Sequence, residues 1–240
     1  MLKEERVEFI EKIKRTETVR SFRFKPEQKI DFYPGQFLQV IFDDQNRSNR
    51  NLNKYLSFSS APGKEYIEIT KRMSDSKFSQ KLLELKQGSR ILMKAPMGTC
   101  IFKDEYEKIG FLIGGIGITP VISILEYIIK KGLATDVCLL YSNKTEDDIA
   151  FKREIDNWSE NNSKIKIIYT VSTAGNGKIK DKRCFFGRIN KQLFMSKVTH
   201  YNQRLFFIFG PPNMVTAMKD LCLEMGCLKE MVKTENFIGY

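Results

Sequence analysis

The residues best suited to chemistry in this 240-residue chain are glycines, hydroxyls and lysines at the ends of apolar runs. Ile113-Gly114-Gly115-Ile116-Gly117-Ile118-Thr119-Pro120 passes from an apolar run into an apolar helical pattern. Gly115 and Gly117 let a ligand reach the backbone, and the free amides of a helix start favour an anion. Thr119 is expected to cap that helix and Pro120 to sit in its first turn, where no donor is lost. Proline stands where the third glycine of G-x-G-x-x-G would be, so this is not that fingerprint. In Phe207-Ile208-Phe209-Gly210-Pro211-Pro212, Gly210 closes a second strand and a helix begins at the prolines. Two such turns at neighbouring strand ends of a wound sheet would form one cleft.

A second group lies earlier. Lys54-Tyr55-Leu56-Ser57-Phe58-Ser59-Ser60 alternates hydroxyls with apolar residues behind a cation. Ser57 suits a hydrogen bond to a heteroaromatic edge, and Lys54 suits a phosphate. Ser76-Lys77-Phe78-Ser79 opens a short helix and offers another phosphate seat. Ile69 and Lys71, at the end of the strand YIEIT, complete this set. An amphipathic strand and a tight strand–helix connection would account for the same residue types without a ligand.

Composition narrows the chemistry. One histidine, His200, excludes His-rich metal sites, and no metal site is expected. Cys222 and Cys227 lack the third cysteine that an iron–sulfur loop needs, and Cys100, Cys138 and Cys184 stand alone. Scattered cysteines and a charged start without an apolar run point to a reducing cytoplasm. No window reaches the roughly 18 apolar residues of a membrane helix. Hard chemistry must therefore come from a bound organic cofactor. The net charge is +11, of which residues 1–103 carry +8 and residues 104–240 carry +3. Such a bias implies an acidic partner for the first half, or only solubility.

The elements that must position these residues change period midway. Up to about Lys94, short runs (VEFIEKI, VRSFRF, QFLQVIF, YLSFS, YIEIT, RILMKA) are separated by turn signals, which predicts a small antiparallel barrel. One helix interrupts it, with Phe78, Leu82 and Leu85 on one face and Gly88 after its end. Beyond residue 103, continuous apolar strands alternate with helices, one of them expected around Asp147–Asn157. This is the pattern of a doubly wound parallel α/β domain. The predicted organisation is an antiparallel β-barrel domain over 1–103 and an α/β domain over 104–240.

In order, these motifs resemble the ferredoxin–NADP reductase superfamily over essentially the whole chain. Tyr33-Pro34-Gly35-Gln36-Phe37 is similar to its P-G-Q turn, and Lys54–Ser60 to its R-x-Y-S-x-x-S segment. Ser76–Ser79 stands at the G-x-x-S position, Ala95-Pro96-Met97-Gly98 at G-P-x-G, and Ile113–Pro120 at G-G-x-G-x-T-P. Leu140-Tyr141-Ser142-Asn143 resembles the strand end that reads the adenosine ribose, and Gly210-Pro211 resembles C-G-P. Glu235-Asn236-Phe237 and Gly239-Tyr240 resemble the aromatic end of the family. Four departures stand out. Lysine replaces the family arginine at 54, losing the bidentate fork, and Leu56 replaces the stacking tyrosine unless Tyr55 substitutes by a local shift. Ser76 replaces a glycine, and Phe209 replaces the cysteine near the nicotinamide.

The resemblance implies an FAD-containing oxidoreductase that takes hydride from NADPH or NADH. Electrons would leave singly to an acidic carrier, ferredoxin or flavodoxin. Ser57 would lie near flavin N5, and Phe237 or Tyr240 would cover the flavin face. The nicotinamide dinucleotide would lie across Gly115, Gly117, Gly210 and Pro211, with Ser142 and Asn143 toward its adenosine. No acidic residue stands at that strand end to demand a free ribose hydroxyl, which leans toward NADPH. The alternatives are a reductase of free flavin or another diffusible acceptor, and a non-catalytic electron-relay subunit. Nucleic-acid binding lacks clustered aromatics to support it.

Overall fold

A computed structural model describes residues 2–173 and 181–237. The chain forms two compact units. One comprises the residues up to Phe102 together with Thr119–Lys130; the other comprises Lys103–Ile118 and the residues after Lys130.

The first unit is an antiparallel six-stranded barrel. Its strands are β1 (Lys3–Lys14), β2 (Val19–Pro26), β3 (Phe37–Ile41), β4 (Asn53–Ser57), β5 (Ile67–Arg72) and β6 (Arg90–Met97), in the order β4-β3-β6-β1-β2-β5. A single bridge, Phe58 to Ile69, brings the two edge strands together. Inward positions are apolar: Val7, Phe9, Phe22, Phe24, Leu38, Val40, Ile69 and Met93 share one buried cluster. The register of β1 slips between Phe9 and Glu11, so Ile10 is the extra residue of a bulge. That slip interrupts the alternation after Phe9. Helix α1 (Lys77–Glu84) buries Phe78 and Leu82 in this cluster, and Leu85 packs at its edge.

The second unit carries an all-parallel sheet in the order β10-β9-β8-β7-β11-β12. Its strands are β7 (Lys108–Gly114), β8 (Asp136–Asn143), β9 (Ile165–Val171), β10 (Cys184–Phe186), β11 (Leu205–Gly210) and β12 (Val232–Asn236). Helices α2 (Ile118–Lys131), α3 (Lys152–Glu160), α4 (Lys191–Lys197) and α5 (Pro212–Glu224) alternate with them along the chain, except that among the described residues β10 follows β9 directly. The four inner strands are apolar because they are buried on both faces; β11 is buried at all six positions. Arg204 is 2% exposed and ties the amino ends of three strands, donating to the Ile109 and Asp136 carbonyls and to the Asp136 carboxylate.

Two local expectations change. The helix expected around Asp147–Asn157 starts at Lys152, because a capped 3-10 turn occupies Glu146–Asp148 and Phe151 stands at φ 60°. Thr119 does not cap its helix. A 3-10 turn over Gly115–Gly117 runs directly into α2, so Gly114 is the cap residue and Thr119 lies inside. All five cysteines are buried free thiols, and no helix is long and apolar enough to cross a membrane. No metal-holding cluster is found among the described residues.

Candidate functional site

In the barrel unit, strand alternation divides the candidate residues between two faces. Lys54 and Leu56 pair with Val40 and Leu38, and Leu56 packs against the barrel core. Tyr55 points the other way, 61% exposed, with its ring edge-on to Phe37. The β3–β4 register is unbroken, so no local shift carries Tyr55 into the place of Leu56. Packing at that position is aliphatic.

Lys71 neighbours Lys54 and lies on the same face of β5 as the buried Ile69. It is 7% exposed, and its Nζ donates to the Arg72 carbonyl at 2.9 Å. Burial first, and the neighbouring Lys54 ammonium second, hold Lys71 below the ordinary lysine range. Neither lysine pairs with a carboxylate among the described residues. Two adjacent cations without a counter-charge are the donor set a pyrophosphate would satisfy. The Ser57 hydroxyl, on a residue 5% exposed, has no protein partner among the described residues.

At α1, Ser76 is the cap and its Oγ accepts from the Ser79 amide at 3.3 Å. The Ser74, Ser76 and Ser79 hydroxyls lie 3.1–3.3 Å apart. Ser76 thus caps with a side chain where glycine would leave the turn open. The amides of Lys77 and Phe78 have no intrahelical partner, as at any helix start. The turn at Tyr33–Gln36 meets the Ala95–Gly98 segment through Gln36 Nε2 donating to the Gly98 carbonyl at 3.0 Å.

In the α/β unit, the two glycine turns meet as expected. Ile113 and Phe209 are register partners on adjacent strands. A Cβ on Gly117 would stand 2.4 Å from the Phe209 carbonyl oxygen, so turn packs on turn and glycine is obligatory there. Gly115 has φ 51°, and its carbonyl accepts from the Tyr141 hydroxyl at 3.0 Å. Pro211 precedes α5, whose first residue is also proline. Phe209 is fully buried, with the Phe207 and Phe237 rings 5.9 and 6.4 Å away. The Phe237 amide donates to the Gly210 carbonyl at 2.9 Å. Thr119 is buried near the start of α2, and Pro120 follows in its first turn. Tyr240 lies outside the described residues.

At the carboxyl end of β8, Ser142 is half-buried and Asn143 is 7% exposed with neither amide atom partnered. A buried amide without partners costs free energy that a ligand could recover. Two polar residues that the sequence did not single out as ligands stand near the carboxyl ends of other strands of the sheet. Thr170, opposite Ser142 on β9, has a buried hydroxyl without a partner. Glu235, opposite Phe209 on the edge strand β12, has its carboxyl pushed up to about 7 by burial. Thr170 is a polar residue near the end of an apolar strand, whereas Glu235 lies on a strand too polar to stand out, so both are legible only once the strand neighbours are known.

The family model for "Oxidoreductase FAD-binding domain" matches residues 6–102, and that for "Oxidoreductase NAD-binding domain" matches residues 111–220. The chain is 26% identical to an NADH-cytochrome b5 reductase-like protein of Arabidopsis thaliana, over 88% of this chain and 70% of that one. It is 26% identical to a flavohemoprotein of Bacillus subtilis over 94% of this chain, but spans only 57% of that relative. A solved FAD/NAD-binding domain of nitric oxide dioxygenase from Vibrio cholerae superposes with a TM-score of 0.82 at 18% identity, covering 97% and 98% of the two chains. With its FAD-binding barrel and NAD-binding wound sheet, the chain belongs to the ferredoxin–NADP reductase superfamily of flavin- and nicotinamide-dependent oxidoreductases.

Proposed function

We propose that this oxidoreductase draws hydride from NADPH or NADH and delivers electrons one at a time to a separate acidic carrier protein. Bound FAD supplies the conversion between a two-electron donor and one-electron acceptors. The chain's own residues bind and orient. Lys54 and Lys71 neutralise the pyrophosphate, with the first amides of α1 at Ser76–Ser79 as further donors. Ser57 offers its hydroxyl to the flavin and Leu56 supplies apolar contact, with the fully buried Ile69 and Phe78 packed in the core behind them. Gly115, Gly117, Gly210 and Pro211 receive the dinucleotide backbone, with Thr119 and Pro120 starting the helix behind them. Ser142 and Asn143 meet its adenosine portion, and Phe209 backs the nicotinamide. No general base is required, in keeping with a single histidine.

The observation that carries this reading is the pair of uncompensated lysines beside an unpartnered Ser57, within a matched FAD-binding domain. The charge of +8 on residues 1–103 favours an acidic carrier, since complementary fields speed encounter. Ferredoxin and flavodoxin fit that description. The relative's name, an NADH-cytochrome b5 reductase-like protein, supports a small haem protein as the second carrier class. Reduction of each candidate by the FAD-loaded chain, at low and high ionic strength, ranks them. A rate highest for free flavin or a quinone, and insensitive to salt, refutes the carrier reading.

A further inference from the structure

The strands that carry Lys54–Ser57 and Ile69–Lys71 do not share a hydrogen-bonded ladder. Around the bridge between Phe58 and Ile69, two bonds that use backbone groups join them: the Ser59 amide to the Glu68 carbonyl at 2.8 Å, and the Glu68 amide to Ser60 Oγ at 3.0 Å. Register at such a seam is weakly specified by the backbone alone. Side chains make up the difference. Arg15 Nε donates to Ser21 Oγ at 2.8 Å, Ser21 Oγ meets Thr70 Oγ1 at 2.7 Å, and Thr70 Oγ1 meets Ser59 Oγ at 2.7 Å. Ser59 Oγ donates onward to Glu68 Oε1 at 3.5 Å, and Arg15 returns to the same oxygen at 3.0 Å. Arg23 Nε holds the other Glu68 oxygen at 2.8 Å.

The ring has one consistent proton order. Arg15 can only donate and Glu68 can only accept when ionised, so the hydroxyls run Ser21 to Thr70 to Ser59 to Glu68. Ser21, Ser59, Glu68 and Thr70 are each no more than 2% exposed. A buried ionic and hydroxyl ring is a weak source of stability, because apolar residues of the same volume would serve as well; its best-attested use is to specify one arrangement. Thr70 lies between Ile69 and Lys71, and Ser59 is two residues beyond Ser57. The residues the ring aligns are therefore those assigned to the flavin.

We propose that the Arg15–Ser21–Thr70–Ser59–Glu68 ring is a positioning device that sets Lys54 and Lys71 at the spacing of the FAD pyrophosphate. It acts through the lysines and touches no ligand itself, and it rests on the reading of those lysines as phosphate ligands. Thr70→Val removes the central hydroxyl while keeping the side-chain shape, and Thr70→Ser keeps the hydroxyl. Both variants and the wild-type chain, freed of flavin, are titrated with FAD and with riboflavin, which has no phosphate.

Thr70→Val is expected to weaken FAD about tenfold, the scale of one lost buried hydrogen bond, with riboflavin affinity within about twofold of wild type. Thr70→Ser restores FAD binding. Unchanged FAD affinity in Thr70→Val overturns the proposal, and so does equal weakening of FAD and riboflavin, which would mark a purely structural role. If Thr70→Val does not fold, Ser59→Ala reads the same ratio. A wild-type chain that binds FAD no better than riboflavin overturns the lysine assignment and the ring with it. A wild-type preference that Thr70→Val retains overturns the ring alone.

Discussion

The Cα of Gly117 rests against the carbonyl of Phe209, leaving no room for a side chain: a Cβ would lie 2.4 Å from that oxygen and 2.9 Å from the Gly210 amide nitrogen. Backbone cannot yield as a flexible side chain would. Gly117→Ala is therefore expected to pry the two turns apart, costing about 2–4 kcal/mol. Reduction by NADPH or NADH should fall steeply while FAD affinity is kept. Wild-type reduction kinetics in Gly117→Ala would show that the turns need not meet.

Lys71 should trade stability for affinity. Its folded-state pKa is depressed, so its charge destabilises the apo fold, most strongly where lysine is protonated in the unfolded chain. Lys71→Met is expected to raise the thermal midpoint of the apo protein and to weaken FAD at least about tenfold. Loss of both stability and affinity would reassign Lys71 to a packing role.

Glu235 makes the opposite pH signature to a paired carboxylate. Its pKa rises from 4.5 to about 7 in the fold, so the folded state holds the proton more tightly than the unfolded chain. Its contribution is complete below about pH 4.5, declines as pH rises, and is lost above about 7. The fall is at most about 3 kcal/mol. Denaturant melts of the wild type and Glu235→Gln across this window test it: the variant should lack that part of the slope.

Asn143 gives a similar contrast in the α/β unit. Because its buried amide is unpartnered, Asn143→Leu is expected to leave apo stability unchanged or improved. Dinucleotide binding should weaken several-fold, measured by calorimetry with NADP and NAD. Unaltered binding of both would remove Asn143 from the site.

Much of the fold follows from local pattern. The apolar run Ile109–Ile113 announces β7, and Phe78 and Leu82 share the buried face that the helical period predicts. Other elements leave weak traces. Strand β10 has three residues, and the edge strand β12 reads Val-Lys-Thr-Glu-Asn, too polar to stand out. The onset of α3 depends on the backbone of Phe151, a residue whose type rarely marks a left-handed turn. At the site, the glycine turns and Lys54–Ser57 are legible because small residues and hydroxyls interrupt apolar runs. The approach of Lys54 to Lys71, the bond from Tyr141 to the Gly115 carbonyl and the isolation of Thr170 arise from strand neighbours far apart in sequence.

The most direct test is an anaerobic titration of the FAD-loaded chain with NADPH and with NADH, followed by mixing with a one-electron carrier. Stoichiometric bleaching of the flavin by at least one nucleotide, and its recovery as the carrier is reduced, is the predicted result. A chain that holds FAD yet stays yellow with both nucleotides would contradict the proposed reductase activity.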